Sequence, residues 1–473
     1  MAELTLEPVP AAGTEADNRG AIVAALMLAI GLAAIDSTIV ATAVPQIVAD
    51  LGGFSLFPWI FSIYLLTQAV TVPIYGRLSD VFGRKPVLLV GVAGFLVGSV
   101  LCAVAWSMVT LIVFRGLQGL AAGAILPTTT TIVGDLYEPA ERGKVQGWIS
   151  SVWGVSAIVG PTLGGFFAEY WTWRGIFWLN LPIGVGAAWL IQRHLHERVE
   201  RRRHRIDYAG ALTLTASCSL LILALLEGGV SWAWGSTTSV ALFAASALLL
   251  AAFVQIERTV AEPILPLWVF RNRILVAGNV SGLAIGAILI GQTTYVPTYA
   301  QRVVGVGAVV AGLAMATMTI GWPIAATLAP RVYLRIGYRP TALVGGTIAT
   351  AGCLLFALFV GGDSGIWRVG VAGFVLGVGL GFVSVATVVA VQSTVGWGRR
   401  GVVTGTNMFI RTLGSAVGVA VFGSIANGRL AHRSHAAPAI FHAVHGVFWA
   451  LVVAALLGIV GLLMFPRTVP RLD

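Results

Sequence analysis

The sequence is short of charge. Asp, Glu, Lys and Arg make up only 10% of its 473 residues, against 57% apolar residues and a mean hydropathy of +0.90. A soluble globular chain carries roughly 25% charged and roughly 45–50% apolar residues, so an ordinary soluble fold is excluded. Lysine is scarcest: Lys85 and Lys144 are the only two. Neither closes the GxxxxGK run of a phosphate loop, and no sizeable polar segment could form a nucleotide-binding domain, so ATP hydrolysis on this chain is excluded. Cysteine is limited to Cys102, Cys218 and Cys353, an odd number, each inside an apolar stretch. A disulfide framework is therefore not expected. The apolar stretches also lack any nucleophile with a base or any cluster of metal ligands, which excludes an intramembrane enzyme and predicts neither metal nor cofactor. The first 20 residues hold Glu3, Glu7, Glu15 and Asp17 against Arg19, the opposite of a signal peptide's basic start, so the first apolar helix is expected to be retained.

Long apolar runs are abundant. Stretches near 21–44, 58–75, 86–106, 110–134, 145–168, 175–191, 208–226, 239–256, 274–296, 307–329, 340–360, 368–391, 402–425 and 446–465 each approach the length a bilayer requires, about 20 residues for one helix. They predict an all-α polytopic membrane protein with fourteen spans. The 58 glycines suit helices that pack backbone to backbone in lipid.

An even number of spans puts both termini on one side. If that side is cytoplasmic, its segments hold 22 basic residues, the opposite loops hold 5 (Arg174, Arg302, Arg368, Arg429 and Arg433), and Arg115 and Arg411 fall inside spans. The bias predicts a multi-pass protein of the inner (plasma) membrane with both termini cytoplasmic. The formal net charge of +10 is thus a record of orientation, and nucleic acid is not an expected partner. The chain is expected to act as a monomer among membrane lipids.

An internal repeat divides the chain. GRLSDVFGRKP at 76–86 and PRVYLRIGYRP at 330–340 share Arg, Gly, a basic residue and Pro at matching offsets, as duplicated transporter halves do. The organisation predicted is a tail (1–20), a six-helix bundle (21–191), a basic linker (192–207), an inserted helix pair (208–257), a second linker (258–273), a second six-helix bundle (274–465) and a tail (466–473). The basic linker has the composition of an amphipathic segment on anionic headgroups.

Asp36 is the deepest acid in any span. It lies nine residues before Pro45, so about 13 Å below that end of the first span at 1.5 Å per residue. A mid-membrane Asp costs roughly 2.5–3.5 kcal/mol even on insertion scales. Arg115 enters the fourth span from the same side to a similar depth, and its long side chain could reach the carboxylate. The pair could exchange a proton as its hydration and separation change, or it could be a static buried ion pair or a helix cap. In the first repeat, Gly76 and Gly83 allow a tight turn, Asp80 and Arg84 stand at ion-pair spacing, and Asp80 can face a helix N-terminus. The basic residues alone could be a topology signal, but that leaves Asp80 unexplained.

GRLSDVFGRKP resembles the cytoplasmic signature of the major facilitator superfamily. AIDSTIVATAVP (34–45), RGLQGLAAG (115–123) and GVSAIVGPTLGG (154–165), running on to WRGIFWLNLPIG (173–184), resemble its fourteen-span drug:proton antiporter branch. The resemblance implies two six-helix bundles plus an inserted pair. It also implies that Asp80 latches onto the start of span 13, near Gly401 to Thr404, in the outward-facing state, and that the glycines of 154–165 mark an exchanger. On residue chemistry alone Gly154, Gly160, Gly164 and Gly165 flatten a helix face, and Pro161 bends it by removing a hydrogen bond.

Cavity candidates on facing spans are Tyr64, Gln68, Trp148, Trp153, Gln292, Tyr295, Tyr299, Asn407 and Arg411, although lipid-facing or core packing explains an aromatic there equally well. Asp135, Glu169 and Glu227 stand near span ends and read as interfacial. His432, His435, His442 and His445 form two HxxH pairs without a carboxylate or Cys nearby, the pattern of a solvated amphipathic segment rather than a metal site. Relatives that pump divalent cations tend to carry extra acids in the second bundle's cavity, and no acid stands in spans 9 to 14, so the resemblance implies that dicationic substrates are disfavoured. These features predict a proton-coupled exporter of small lipophilic monocationic or neutral drugs, working by alternating access with protons as the coupling ion. The alternatives are a dedicated exporter of an endogenous lipid-like metabolite or self-made antibiotic, and a non-transporting receptor or scaffold, which would need neither Asp36 nor the latch.

Overall fold

The computed structural model describes residues 16–52, 56, 58–197, 207–229, 231–260, 263–361, 365–430 and 437–466. Most of the N-terminal tail, positions 198–206 of the basic linker, His432, His435 and nearly all of the C-terminal tail lie outside the described residues.

Among the described residues, fourteen helices are long and apolar enough to cross a membrane. They are α1 (Ala16–Leu51), α2 (Pro58–Phe82), α3 (Arg84–Ala103), α4 (Met108–Leu136), α5 (Pro139–Tyr170), α6 (Asn180–His194, entered through a helical turn at Gly175–Trp178), α7 (Tyr208–Glu227), α8 (Thr237–Thr259), α9 (Arg273–Arg302), α10 (Ala308–Ile336), α11 (Tyr338–Phe359), α12 (Ile366–Ser393), α13 (Arg400–Leu430) and α14 (Ala437–Leu463). Short polar residues start several of them. Ser107 forms a reciprocal capping box with Thr110 at α4, and Asp207, Ser236 and Asn272 accept from the first free N–H groups of α7, α8 and α9. The first turn of α3 is capped from afar, with Arg84 N and Lys85 N each donating to the Glu197 carboxylate at 2.9 Å.

Helices α1 to α6 pack among themselves, as do α9 to α14, and the two groups meet mainly where α5 lies against α10 and α2 against α13. The inserted pair α7–α8 is joined by reciprocal bonds, Ser217 Oγ to Ser246 O at 2.8 Å and Ser246 Oγ to Ser217 O at 2.9 Å. Leu214, Cys218 and Ile222 of α7 then cover the seam formed by Leu66 and Val70 of α2 and Met408 and Phe409 of α13. All three cysteines are free and buried.

Two sequence expectations change. Helix α1 passes Pro45 and ends at Leu51, so Pro45 does not mark the end of the first span, and the depth of Asp36 is set by its neighbours. The segment 76–86 is not an extended loop: α2 continues to Phe82 and α3 starts at Arg84, leaving Gly83 as the whole connection. Gly83 has φ 96° and ψ 158°, and Gly337, at the same offset of the second repeat, has φ 91° and ψ 165°. Essentially only glycine occupies that region, so one residue can reverse the chain without a loop. The repeat seen in sequence is therefore the same one-residue turn used twice.

A Cβ on Gly337 would meet only Pro340 Cδ, at 3.8 Å, so the cost of Gly337→Ala is backbone strain, about 1–3 kcal/mol. Thermal unfolding of the purified protein should show that loss, whereas Gly312→Ala, where a Cβ meets nothing within 4 Å, should not.

Candidate functional site

Three features converge between and within the halves: a buried charge cluster, an interhalf lock and a central cavity. The cluster is built around Asp36, whose side chain is fully buried. Arg115 Nη1 donates to its Oδ2 at 2.6 Å, while Gln118 Nε2 and Asn180 Nδ2 donate to its Oδ1 at 3.1 and 3.0 Å. The same Arg115 nitrogen donates to Gln118 Oε1 at 2.6 Å, and Nε donates to Ile60 O at 3.3 Å. Ser99 Oγ accepts from Asn180 and Gln118 and donates to Phe177 O at 3.0 Å. The guanidinium lies 4.2 Å from the Tyr64 ring centre, a cation–π contact away from water. Helices α1, α3, α4 and α6 are thus joined around one carboxylate. Each contact to the carboxylate oxygens is a donor: Oδ1 accepts two hydrogen bonds and Oδ2 one.

Gln118 and Asn180 are cluster residues that the sequence reading did not single out. The signal was present: Gln118 stands three residues after Arg115 in RGLQGLAAG, and Asn180 lies in WRGIFWLNLPIG. Ser99 has no such marker, because its role depends on which face of α3 turns inward.

The glycines of α5 press against α1 beside this cluster. A Cβ on Gly160 would meet Ile39 N at 3.3 Å and clash with Thr38, and one on Gly164 would meet Ile39 O at 2.5 Å. Thr38 Oγ1 also donates to Ser156 O at 3.0 Å. Gly154 points the other way, with Thr319 of the opposite half 3.5 Å from its ideal Cβ position, while Gly165 has nothing within 4 Å. Gly165 is therefore not part of the packed face, a correction to the sequence expectation: it directly follows Gly164 and so turns away from α1. Helix α5 continues through Pro161, whose side chain is not among those described.

The lock sits at the end of the molecule that carries the Gly83 turn. Asp80 Oδ1 accepts from Gly401 N at 2.9 Å and Oδ2 from Val402 N at 2.8 Å, filling the free N–H groups of the first turn of α13. Arg84 pairs with Asp80 at 2.9 Å, donates to Asp135 at 2.8 Å and to Trp397 O at 2.6 Å, and lies 3.6 Å from the Trp397 ring centre. Arg400 of the second half donates to Asp135 Oδ1 at 2.9 Å. Asp135 is thus a bridge between halves and not an interfacial acid facing water, because the Gly83 turn brings Arg84 against the end of α4. Gly76 permits the approach: a Cβ there would stand 2.6 Å from Gly401 O. At the second repeat, Leu334 occupies the offset of Asp80, and the Tyr333 hydroxyl donates to Pro139 O across the halves.

Between the halves lies a cavity of about 300 Å³. Gln68, Trp153 and Arg411 line it, together with Ile30 and Ala33 of α1, Ile222 of the inserted pair, and Thr412 and Ser415 of α13. The other six candidates sit elsewhere. Tyr64 stacks on Arg115. Trp148 is 43% exposed on the outer surface with Lys144 over its ring. Gln292 is buried inside the second bundle near Gly373, and Tyr295 packs against that bundle's core. Tyr299 donates to Gly361 O at 2.6 Å, and Asn407 Nδ2 donates to Gly278 O at 2.8 Å. Residue type signals an amphipathic side chain, but the rotational phase of each helix decides which way it points. Among the described residues no group of His, Cys, Asp and Glu is arranged to hold a metal ion.

The model of the Major Facilitator Superfamily matches residues 26–419. The chain is 35% identical over 404 residues to Multidrug resistance protein 3 of Bacillus subtilis, covering 85% of this chain and 79% of the relative. It is 34% identical over 414 residues to the Multidrug transporter protein MdtP of the same organism (87% and 76%), and 31% identical over 455 residues to Efflux pump FUS6 of Gibberella moniliformis (92% and 78%). In fold it matches the human organic anion transporter MFSD10 (TM-score 0.68, 16% identity, 95% of this chain and all of that one). It also matches the proton:xylose symporter XylE (TM-score 0.66, 13% identity, 96% of each chain).

Two outcomes follow from the packing and the cluster. Gly164→Ala should destabilise the purified protein, while Gly165→Ala should stay within about 0.5 kcal/mol of wild type in thermal unfolding. Asp36→Ala strands a buried guanidinium and should cost about 3–5 kcal/mol. Adding Arg115→Met should recover part of that loss, a non-additivity that a double-mutant cycle measures.

Proposed function

The chain belongs to the major facilitator superfamily and is a multi-pass membrane transporter, and on that footing we propose that it exports lipophilic small molecules in exchange for protons. Asp36 is the proton-carrying group, and the central cavity is the substrate site. The observation that carries this reading is the position of the cluster: a carboxylate held by Arg115, Gln118 and Asn180, on the same helix as the cavity-lining Ile30 and Ala33. Ala33 stands one turn before Asp36, so a substrate that shifts this wall of α1 also shifts the carboxylate against its donors. Protonation loosens the cluster from within and substrate binding loads it from the cavity. Each can therefore bias the same packing of α1 against α4, α5 and α6.

Alternating access then needs the halves to part at one end and close at the other. The hydrogen bonds accepted by Asp80 and donated by Arg84 and Arg400 gather at the Gly83 end, and at the opposite ends of α10 and α13 a Cβ on Gly312 or Gly423 would meet nothing within 4 Å. This arrangement supports a conformation closed at the lock. The bias of 22 basic residues to 5 supports placing the lock in the cytoplasm, so the conformation faces outward. The apolar walls around Gln68, Thr412 and Ser415 fit a drug-sized lipophilic molecule, and the names of the bacterial relatives support a role in drug efflux.

The deciding experiment uses Asp36→Asn in everted membrane vesicles with an acidified lumen and a fluorescent lipophilic probe added to the outside, so that export reads as uptake, with folding verified by monodisperse elution of the purified variant. Transport driven by an imposed pH gradient should be abolished while downhill substrate movement persists. Undiminished gradient-driven transport in this variant would remove Asp36 from the coupling mechanism.

A further inference from the structure

The buried arginines Arg84 and Arg115 are held in ion pairs, whereas the half-buried Arg411 faces the cavity without one. Arg115 is held by Asp36, Gln118 and Ile60 O, and Arg84 by Asp80, Asp135 and two backbone carbonyls. The guanidinium of Arg411, in the middle of α13, makes no hydrogen bond and no ion pair to any described residue, and it lines the central cavity. It is the sole charged side chain among the cavity's lining residues. Nothing in its own half can neutralise it, because helices α9 to α14 contain no Asp or Glu. In the other half, Asp36 is fully buried and committed to Arg115, and Asp80 to Arg84 and the first turn of α13.

An arginine does not lose its charge in a protein. An unpaired buried charge is strongly unfavourable unless water or a ligand supplies acceptors. A fixed positive charge in a low-dielectric cavity repels cations and attracts anions far more strongly than it would in water. Around it, Gln68, Thr412 and Ser415 supply polar edges, and the remaining walls are mainly apolar.

We propose that the cavity takes lipophilic molecules carrying an anionic or strongly hydrogen-bond-accepting group, such as a carboxylate or an acidic phenol, with Arg411 receiving that group, and that it disfavours cations. This inference rests on the cavity being the substrate site. It narrows the substrate class drawn from sequence: the scarcity of acids there pointed to monocations or neutral molecules, whereas the charge that lines the cavity keeps the neutral class, adds anions and removes cations. The planar fork of the guanidinium matches a carboxylate bidentately, so the selectivity includes geometry as well as sign.

The test measures binding and needs no gradient. Full-length protein in nanodiscs of uncharged lipid is dialysed against naphthaleneacetate, naphthaleneacetamide or naphthaleneethylammonium, which share one ring system and differ in charge, with binding to empty nanodiscs subtracted. Wild type should bind the carboxylate at least about tenfold more tightly than the ammonium, with the amide between them. Arg411→Gln should abolish the preference, and Arg411→Lys should retain part of it. Should Arg411→Gln fail to fold, Gln68→Glu leaves Arg411 in place and adds an opposing charge across the cavity, so it should shrink the preference as well. Equal or tighter binding of the ammonium to wild type, or a preference that survives both Arg411→Gln and Gln68→Glu, overturns the proposal. Undiminished gradient-driven transport in the Asp36→Asn vesicle assay would leave this measurement untouched, so the two readings fail separately.

Discussion

The ion pair between Asp36 and Arg115 is the constraint around which the first half is arranged. Two opposite charges taken out of water are stable only if their remaining hydrogen-bonding capacity is met, and that requirement recruits Gln118 from α4, Asn180 from α6 and Ser99 from α3. Four helices are thereby registered on one carboxylate. The glycines at 160 and 164 bring α5 onto the same stretch of α1, with Thr38 wedged between. Every contact to the Asp36 oxygens is a donor, so this carboxylate is the point at which the four helices are held together. In the proposed mechanism the coupling step acts at that same point.

The cluster connects to the lock through α4. Arg115 lies near one end of that helix and Asp135 near the other, about 30 Å apart at 1.5 Å per residue. Asp135 is shared by Arg84 of its own half and Arg400 of the opposite half. In the proposed mechanism α4 is therefore the element that links the Asp36 cluster to the residues holding the halves together. The two repeats contribute unequally. Both use a one-residue glycine turn, but the first carries Asp80 aimed at α13 and the second carries Leu334, with Tyr333 making the corresponding interhalf contact. The halves are thus joined by an ionic contact on the α2–α13 side and a neutral one on the α5–α10 side. The inserted pair adds an apolar cover on the α2–α13 seam and, through Ile222, part of the cavity wall.

Much of this was legible in the sequence, for physical reasons. Lipid imposes a length and an apolar composition on each span, so the fourteen helices could be read by hydropathy. A charge in lipid is costly enough that Asp36 and Arg115 stood out individually. A backbone conformation open essentially only to glycine made Gly83 and Gly337 visible as a repeat. What stayed hidden depends on helix phase and on distance across the fold. Ser99 is an ordinary serine until α3 is packed against α6, and Asp135 is a span-end acid until the Gly83 turn brings Arg84 to it. Of the cavity candidates, Gln68, Trp153 and Arg411 line the central cavity, whereas Tyr64, Trp148, Gln292, Tyr295, Tyr299 and Asn407 sit elsewhere. An amphipathic side chain suits a cavity, a bundle core and a lipid interface alike.

The central claim is that Asp36 takes up and releases a proton inside the folded bundle. Infrared difference spectroscopy of the purified, unliganded protein in nanodiscs, comparing low and neutral pH, reads protonated carboxyl groups directly through their carbonyl stretch. The account predicts a protonated-carboxyl band that grows as pH falls while the protein stays folded and that is missing from the Asp36→Asn spectrum. Identical carboxyl bands in wild type and variant throughout the folded range would contradict it and leave the Asp36–Arg115 pair as a fixed structural strut.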